Sequence, residues 1–177
     1  LASDMSDSSG TLWMDVANRR WSPVLLDATG LDERHMPLLF EGHEATGTLR
    51  AEAAEAWGMS RVPVIAGGGD NAAGAVGVGV TDEGDTLLSL GTSGVIFVAG
   101  KTYRSNPESA AHAFCHALPG RWHMMSVMLS AASCLDWAVR LTGVRDAAEL
   151  IQRAEADAGL GAGEIFLPYL SGERTPH

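Results

Sequence analysis

The sequence predicts an α/β protein made of two domains. Before residue 80, apolar runs typical of strands alternate with helix-forming segments that end at glycine. After residue 85, two pairs of apolar runs are each joined by a short turn, which is the pattern of a β-hairpin. The polar segment "TDEGD" at 81–85 lies between these regions, so we predict domains over residues 1–80 and 81–177.

The composition limits the classes of protein and of partner. A chain of 177 residues, 46% of them hydrophobic, is long enough to bury a core. Its 22 acidic and 12 basic residues give a net charge of −10, and no run of lysine and arginine offers a footprint for nucleic acid. No stretch reaches the ~18 consecutive apolar residues of a membrane helix, so we expect no membrane association. Only two cysteines are present, which favours a reducing, cytoplasmic setting.

Two buried strands are predicted in the first half of the chain. "TLWMDV" at 11–16 is a short apolar run, and "RVPVIAGGG" at 61–69 is a second run that enters a glycine turn. The intervening "EGHEATGTL" at 41–49 has the composition of a loop.

Three helices are predicted in the same half. Ser22 and Pro23 precede an apolar stretch that stops at Gly30, the pattern of a capped helix with proline at its first position. "RAEAAEAWG" at 50–58 is rich in helix formers and ends at glycine. The small residues of 70–79 are typical of a helix packed tightly on a neighbour.

The second half is predicted to form two hairpins. The first joins "TLLSL" and "VIFVA" through the turn "GTSG", and the second joins "HAFCHAL" and "RWHMMSV" through "PG". Two helices follow. "SAASCLDWAVRLTG" at 130–143 has one apolar stripe and a terminal glycine, and the helix over 146–159 begins with Asp146 as cap and Glu149 in the capping-box position.

The glycine segment after the second strand allows three interpretations. Gly67, Gly69 and Ala72 match the dinucleotide fingerprint G-x-G-x-x-A, but the acidic residues that follow come before the next strand rather than at its end. Asp70 can instead be a simple helix cap. Alternatively, bare glycines beside the carboxylate of Asp70 and the amide of Asn71 suit a general base and a polyhydroxylated ligand, such as a sugar alcohol or ketose.

The turn "SLGTSG" at 89–94 is a second candidate site. Backbone N–H groups of a tight glycine turn, with the hydroxyls of Thr92 and Ser93, are able to surround a phosphate. An ordinary hairpin turn uses the same residue types. A phosphate site paired with an upstream carboxylate would provide the two parts that phosphoryl transfer needs.

The spacing of the histidines does not favour a metal site. His112 and His116 would point to one face of a strand and Cys115 to the other, and no second thiol pair accompanies them and His123. We therefore predict no metal ligands among the residues of this chain.

Four ordered segments resemble the FGGY family of carbohydrate kinases, in particular its xylulokinase group. They are "VPVIAGGGDNAAGAVGVG", "LLSLGTSGV", "HAFCHALPGRWHMMSVMLSAASCLDW" and "FLPYLSGERTP". The resemblance runs nearly end to end and covers the central region of a longer kinase, so we expect this chain to be a fragment that is inactive by itself.

The resemblance implies an actin-like, ribonuclease-H-like fold, with the end of the first domain and the start of the second present here. It implies ATP-dependent phosphorylation of D-xylulose in a cleft between two domains, with Mg²⁺ bridging the phosphates. Asp70 would be the general base, Asn71 would contact the sugar, and Gly91, Thr92 and Ser93 would meet the terminal phosphates. The alternatives are a kinase of this family acting on another ketose or polyol and a non-catalytic actin-like nucleotide-binding module. A homodimer is compatible with the resemblance, which assigns no role to Glu173 or Arg174.

Overall fold

A computed structural model describes residues 1–156 and 165–175 of the chain. Helices and strands are mixed throughout, which confirms the α/β class. None of the helices in the described part is long and apolar enough to cross a membrane.

The chain divides into two compact units, each made of several segments. The first unit comprises residues 1–87, 97–106 and 112–125. The second comprises 88–96, 107–111 and the described residues from 126 onward. The boundary near residue 81 stays a prediction.

The strands and helices of the described residues follow one another in short segments. The strands are β1 (Ala2–Asp4), β2 (Met14–Asp15), β3 (Arg20–Trp21), β4 (Leu38–Phe40), β5 (Ala45–Thr48), β6 (Pro63–Ile65), β7 (Thr86–Leu90), β8 (Gly94–Gly100), β9 (His112–Cys115) and β10 (Trp122–Met128). The α-helices are α1 (Met5–Ser8), α2 (Pro23–Ala28), α3 (Ala51–Ala56), α4 (Asp70–Gly77), α5 (Ser133–Thr142) and α6 (Ala147–Ala156). Short 3₁₀ turns occupy Ser9–Thr11, Glu33–His35 and Pro107–Ser109.

The predicted strand over 11–16 is wrong except at β2. Helix α1 precedes it because the Asp4 carboxylate accepts hydrogen bonds from the backbone N–H groups of Ser6, at 2.7 Å, and Asp7, at 3.1 Å. The following 3₁₀ turn ends at Leu12, whose φ of 68° is incompatible with a strand.

The prediction of a buried strand at 61–69 is also wrong in part. Only β6 is a strand, and its pairing partner is β5, which lies in the segment expected to be a loop. The two strands form a two-stranded antiparallel sheet. Val64 and Ile65 are 42% and 49% exposed, so β6 is not a buried strand.

The core of the first unit lies around β2, β3 and α2. Met14, Trp21, Leu26 and Cys115 form its buried centre. Two features set the position of α2: Ser22 accepts a hydrogen bond from Leu25 N–H at 3.4 Å, and proline stands at its first turn, as predicted.

The predicted hairpins are confirmed. Strands β7, β8, β10 and β9 form one four-stranded sheet in that order, in which β9 pairs antiparallel with β10. Helix α5 ends at Gly143 with φ of 69°, as its sequence predicts. Asp146 caps α6 by accepting from Glu149 N–H at 2.9 Å, while the last predicted residues of that helix, 157–159, lie outside the described residues.

Candidate active site

Asp70 is the first residue of α4 and is exposed to solvent. Its Oδ1 atom accepts hydrogen bonds from the backbone N–H of Asn71 at 2.7 Å and from Asn71 Nδ2 at 3.2 Å. Gly69 occupies the N-cap position, so the interpretation of Asp70 as the helix cap is wrong. The carboxylate instead lies in the first turn, where the positive end of the helix dipole stabilises a negative charge.

Two of the glycines before Asp70, Gly67 and Gly68, have structural reasons. A Cβ atom on Gly68 would lie 2.9 Å from Ala117 Cβ, which is too close for any side chain. Gly67 has a φ of 80° and donates its N–H to the carbonyl of Gly42 at 3.0 Å. Packing thus explains Gly68 and the positive φ explains Gly67, while close approach of a ligand stays a prediction.

A polar network from the start of the chain holds the residue before Asp70. Gly69 N–H donates to Ser6 Oγ at 2.8 Å, and Ser6 Oγ in turn donates to the Asp4 carboxylate. Both side chains are buried, with Asp4 7% and Ser6 5% exposed. This network was not predicted from the sequence, although Asp4 followed by Ser6 and Asp7 is a recognisable helix start.

The dinucleotide interpretation is not supported by the strand that precedes the glycines. The G-x-G-x-x-A fingerprint functions in a βαβ unit, where the strand belongs to a parallel sheet. Here β6 pairs antiparallel with β5 in a two-stranded sheet.

The turn of residues 91–93, which we call the phosphate turn, joins β7 to β8 and is anchored through its carbonyl groups. The carbonyl of Gly91 accepts from Ala132 N–H at 2.9 Å. The carbonyl of Thr92 accepts from Ala131 N–H at 2.9 Å and from Ser133 Oγ at 3.0 Å. These donors lie at the start of α5 and just before it.

The anchoring orients the N–H groups of Thr92 and Ser93, whereas Gly91 N–H donates to the carbonyl of Ser93 at 3.0 Å. In a trans peptide the N–H points away from the preceding carbonyl. Because the carbonyls of Gly91 and Thr92 point to the start of α5, the N–H groups of Thr92 and Ser93 point away from it. Among the described residues the Thr92 hydroxyl has no hydrogen-bond partner, whereas Ser93 Oγ donates to the carbonyl of Leu129 at 3.2 Å.

His116 and His123 are buried beside Phe97, whereas Cys115 belongs to the core around β2, β3 and α2. His123 stacks on Phe97 with ring centroids 4.0 Å apart, and burial lowers its pKa to about 3, with a smaller contribution from the charge of His116. Burial likewise raises the pKa of the Cys115 thiol. Within residues 1–156 and 165–175, no group of three or more His, Cys, Asp or Glu side chains is arranged to hold a metal ion.

Family models match almost the whole chain. The model of the FGGY family of carbohydrate kinases, N-terminal domain, matches residues 1–77. The model of the C-terminal domain of the same family matches residues 86–177.

Curated relatives of high identity carry the name xylulose kinase. The chain is 61% identical over 176 residues to the xylulose kinase of Escherichia coli strain K12, covering 99% of this chain and 36% of that protein. It is 60% identical to the xylulose kinase of Klebsiella pneumoniae, with coverage of 100% and 37%, and 36% identical to that of Bacillus subtilis strain 168, with coverage of 98% and 35%. The chain therefore spans little more than a third of the length of these relatives.

Solved structures of similar proteins have the same fold. A xyloylose kinase from Brucella ovis is 53% identical, with a TM-score of 0.90 and coverage of 99% of this chain and 36% of the other. A xylulose kinase from Rhodospirillum rubrum is 30% identical, with a TM-score of 0.79 and coverage of 92% and 34%. These matches confirm the actin-like α/β fold of sugar kinases that the resemblance implied. This chain belongs to the FGGY family of carbohydrate kinases.

Proposed function

We propose that the chain is part of an ATP-dependent kinase that converts D-xylulose to D-xylulose 5-phosphate. The observation that carries this proposal is the 61% identity, across 99% of the chain, to a protein named xylulose kinase. The chain covers only 36% of that relative, so the proposed activity belongs to the full-length protein. We expect the isolated 177-residue chain to have no appreciable turnover.

In the proposed reaction, Asp70 is the general base that accepts the proton of the sugar hydroxyl. Its Oδ1 atom is oriented by the two hydrogen bonds from Asn71, and the side chain is exposed to an incoming ligand. The Asn71 amide, which both donates and accepts, would contact another hydroxyl of the same sugar. A general base of this kind contributes about 10²- to 10⁴-fold to the rate.

The phosphate turn fits the terminal phosphates of ATP. The N–H groups of Thr92 and Ser93 point to the same side, and consecutive N–H groups of this kind form an anion-binding nest. The Thr92 hydroxyl adds a donor that no described residue occupies. Gly91 leaves the main chain open at the start of the turn, because it presents no side chain to an approaching phosphate.

The proposed step is an in-line transfer whose atoms balance without a further reactant. The bond from the sugar oxygen to the γ-phosphorus forms, the bond from that phosphorus to the β-phosphate oxygen breaks, and the hydroxyl proton passes to Asp70. ATP supplies the phosphoryl group, and bound Mg²⁺ would neutralise its phosphate charge. We assign no residue of this chain as a ligand of Mg²⁺.

The test is sugar-dependent release of ADP by the full-length protein carrying Asp70→Asn. We expect kcat to fall about 10²- to 10⁴-fold with D-xylulose, because the amide cannot accept the proton. The matched control is Glu52→Gln, which neutralises an exposed carboxylate on α3 and is expected to retain wild-type kcat. An Asp70→Asn variant with unchanged kcat would refute the role of the base.

Two alternatives give different results in the same assay. A family member acting on another ketose or polyol would release ADP with D-ribulose, L-ribulose or glycerol rather than with D-xylulose, and would remain sensitive to Asp70→Asn. A non-catalytic actin-like nucleotide-binding module would bind ATP but release no ADP with any of these sugars.

We also retain as proposals a cytoplasmic location, a homodimer and a domain boundary near residue 81.

A further inference from the structure

We propose that Glu173 is a positioning residue for the phosphate turn and acts on it through the main chain of Leu129. The inference rests on the proposed role of the phosphate turn in ATP binding. Glu173 lies in the segment "SGERTP", 80 positions after Ser93 in the sequence. It contacts neither Asp70 nor the phosphate turn through a hydrogen bond in the described residues.

Leu129 connects Glu173 to the turn. Leu129 N–H donates to Glu173 Oε1 at 2.9 Å, and the carbonyl of Leu129 accepts from Ser93 Oγ at 3.2 Å. The same Oε1 atom accepts from the N–H of Arg174 at 2.8 Å, which fixes the carboxylate relative to its own main chain. The orientation of the Leu129 main chain is therefore held from both sides.

Leu129 begins the connection from β10 to α5, which anchors the whole phosphate turn. Ala131 and Ala132 of this connection donate to the carbonyls of Thr92 and Gly91. A shift of the connection would therefore move the Ser93 hydroxyl and both carbonyl anchors together. The direction of the N–H groups that face the phosphates depends on those anchors.

Burying a carboxylate at this position costs solvation energy, which an apolar side chain of similar size would not. Glu173 Oε2 is buried and has no hydrogen-bond partner among residues 1–156 and 165–175. A buried polar atom without a partner is unfavourable. The compensating interaction is the pair of charge-assisted hydrogen bonds from main-chain N–H groups to Oε1, which are stronger than those to a neutral acceptor.

The neighbouring Thr175 already attaches this segment to β10. Its Oγ1 atom accepts from Val127 N–H at 2.6 Å and donates to the carbonyl of Val127 at 2.9 Å. Thr175 therefore provides a structural contact of the same segment that does not involve Leu129. It is the matched control for Glu173.

The experiment measures ATP affinity by calorimetry, and ADP release, in the full-length protein. We expect Glu173→Ala to raise the Kd for ATP about tenfold, which is a typical effect for a residue that acts on a binding site without touching the ligand. The KM for D-xylulose should stay within about twofold of wild type. Glu173→Gln keeps a carbonyl oxygen that accepts from Leu129 N–H, so it should recover most of the affinity. Thr175→Val should lower the melting temperature without changing the Kd for ATP.

A double-mutant cycle with Ser93→Ala tests the route through Leu129. If Glu173 acts through Ser93 and the carbonyl anchors, the double variant should lose less ATP affinity than the product of the two single losses. Multiplying effects would overturn the inference, as would an unchanged Kd for ATP in Glu173→Ala. If the wild type binds ATP but shows no sugar-dependent turnover, the proposed kinase function is refuted. The double-mutant cycle would still test the role of Glu173, because it measures ATP affinity alone. A wild type that does not bind ATP would overturn both.

Discussion

The buried imidazole of His123 makes the stability of the protein depend on pH in a defined range. The side chain is 3% exposed, stacks on Phe97, and has no hydrogen-bond partner at either ring nitrogen among the described residues. Its pKa is lowered from 6.5 to about 3 by burial and by His116. In the folded protein the ring therefore stays neutral well below pH 6.5, whereas in the unfolded chain it takes up a proton there.

The sign and size of the effect follow from this difference. Between pH 6.5 and pH 3 the unfolded state binds one more proton at this site, so stability falls as the pH falls. Each pH unit in this range corresponds to about 1.4 kcal/mol. Between pH 7.5 and pH 5.0 the contribution of His123 to the free energy of unfolding should drop by about 2 kcal/mol.

The measurement compares wild type with His123→Leu by urea unfolding of the full-length protein at these two pH values. Leucine cannot be protonated, so the variant should lose about 2 kcal/mol less than wild type between pH 7.5 and 5.0, whatever its absolute stability. Titrating groups that do not interact with residue 123 cancel in this comparison. Equal losses in the two proteins would show that the His123 ring is hydrated or hydrogen-bonded, and would refute the argument from burial.

Gly68→Ala and Arg19→Lys, each with a control substitution, test the packing around the proposed base and a largely buried ion pair of the first unit. Gly68→Ala should destabilise the protein by about 1–3 kcal/mol, because its Cβ would lie 2.9 Å from Ala117 Cβ. The control is Gly77→Ala, whose Cβ would lie in open space on α4. It should stabilise the protein by about 0.5–1 kcal/mol. Arg19→Lys should cost about 1–2 kcal/mol in urea unfolding, because lysine cannot form the two parallel hydrogen bonds, at 2.9 and 2.7 Å, that the guanidinium donates to Glu41.

The control for the second substitution is an exposed ion pair of similar geometry. Arg34 donates to Asp32 at 2.6 Å, but the arginine side chain is 88% exposed, against 14% for Arg19. Arg34→Lys should therefore leave the free energy of unfolding nearly unchanged. Equal changes in stability for Arg19→Lys and Arg34→Lys would contradict the role of burial. Equal melting temperatures for Gly68→Ala and Gly77→Ala would contradict the role of the Ala117 contact.

The parts of the fold that depend on local sequence were predictable. Helix α2 begins at Ser22 and Pro23 because one side chain accepts an N–H hydrogen bond and the other has a suitable φ, and both properties are local. The hairpin around "GTSG" and the end of α5 at Gly143 are similar cases. Prediction failed where the structure depends on a partner distant in sequence, as in the pairing of β5 with β6.

The candidate site divides in the same way. Asp70 and the phosphate turn stand out in the sequence because a carboxylate after glycines and a turn of small hydroxyl residues are local patterns. The groups that position them do not stand out. Ser6 contacts Gly69 across 63 residues of sequence, and Glu173 contacts Leu129 across 44. A single sequence gives no signal for such contacts, because either residue is equally compatible with an exposed loop.

Both positioning contacts act on the main chain rather than on the proposed functional side chains. Ser6 holds the N–H of the residue before Asp70, and Glu173 holds the N–H of the residue whose carbonyl binds Ser93. A hydrogen bond to the main chain fixes the direction of a peptide without restricting the side chain that follows it. The proposed base and the proposed phosphate donors can therefore stay exposed to ligands, while the main chain beside each of them is fixed from the buried side before a ligand binds.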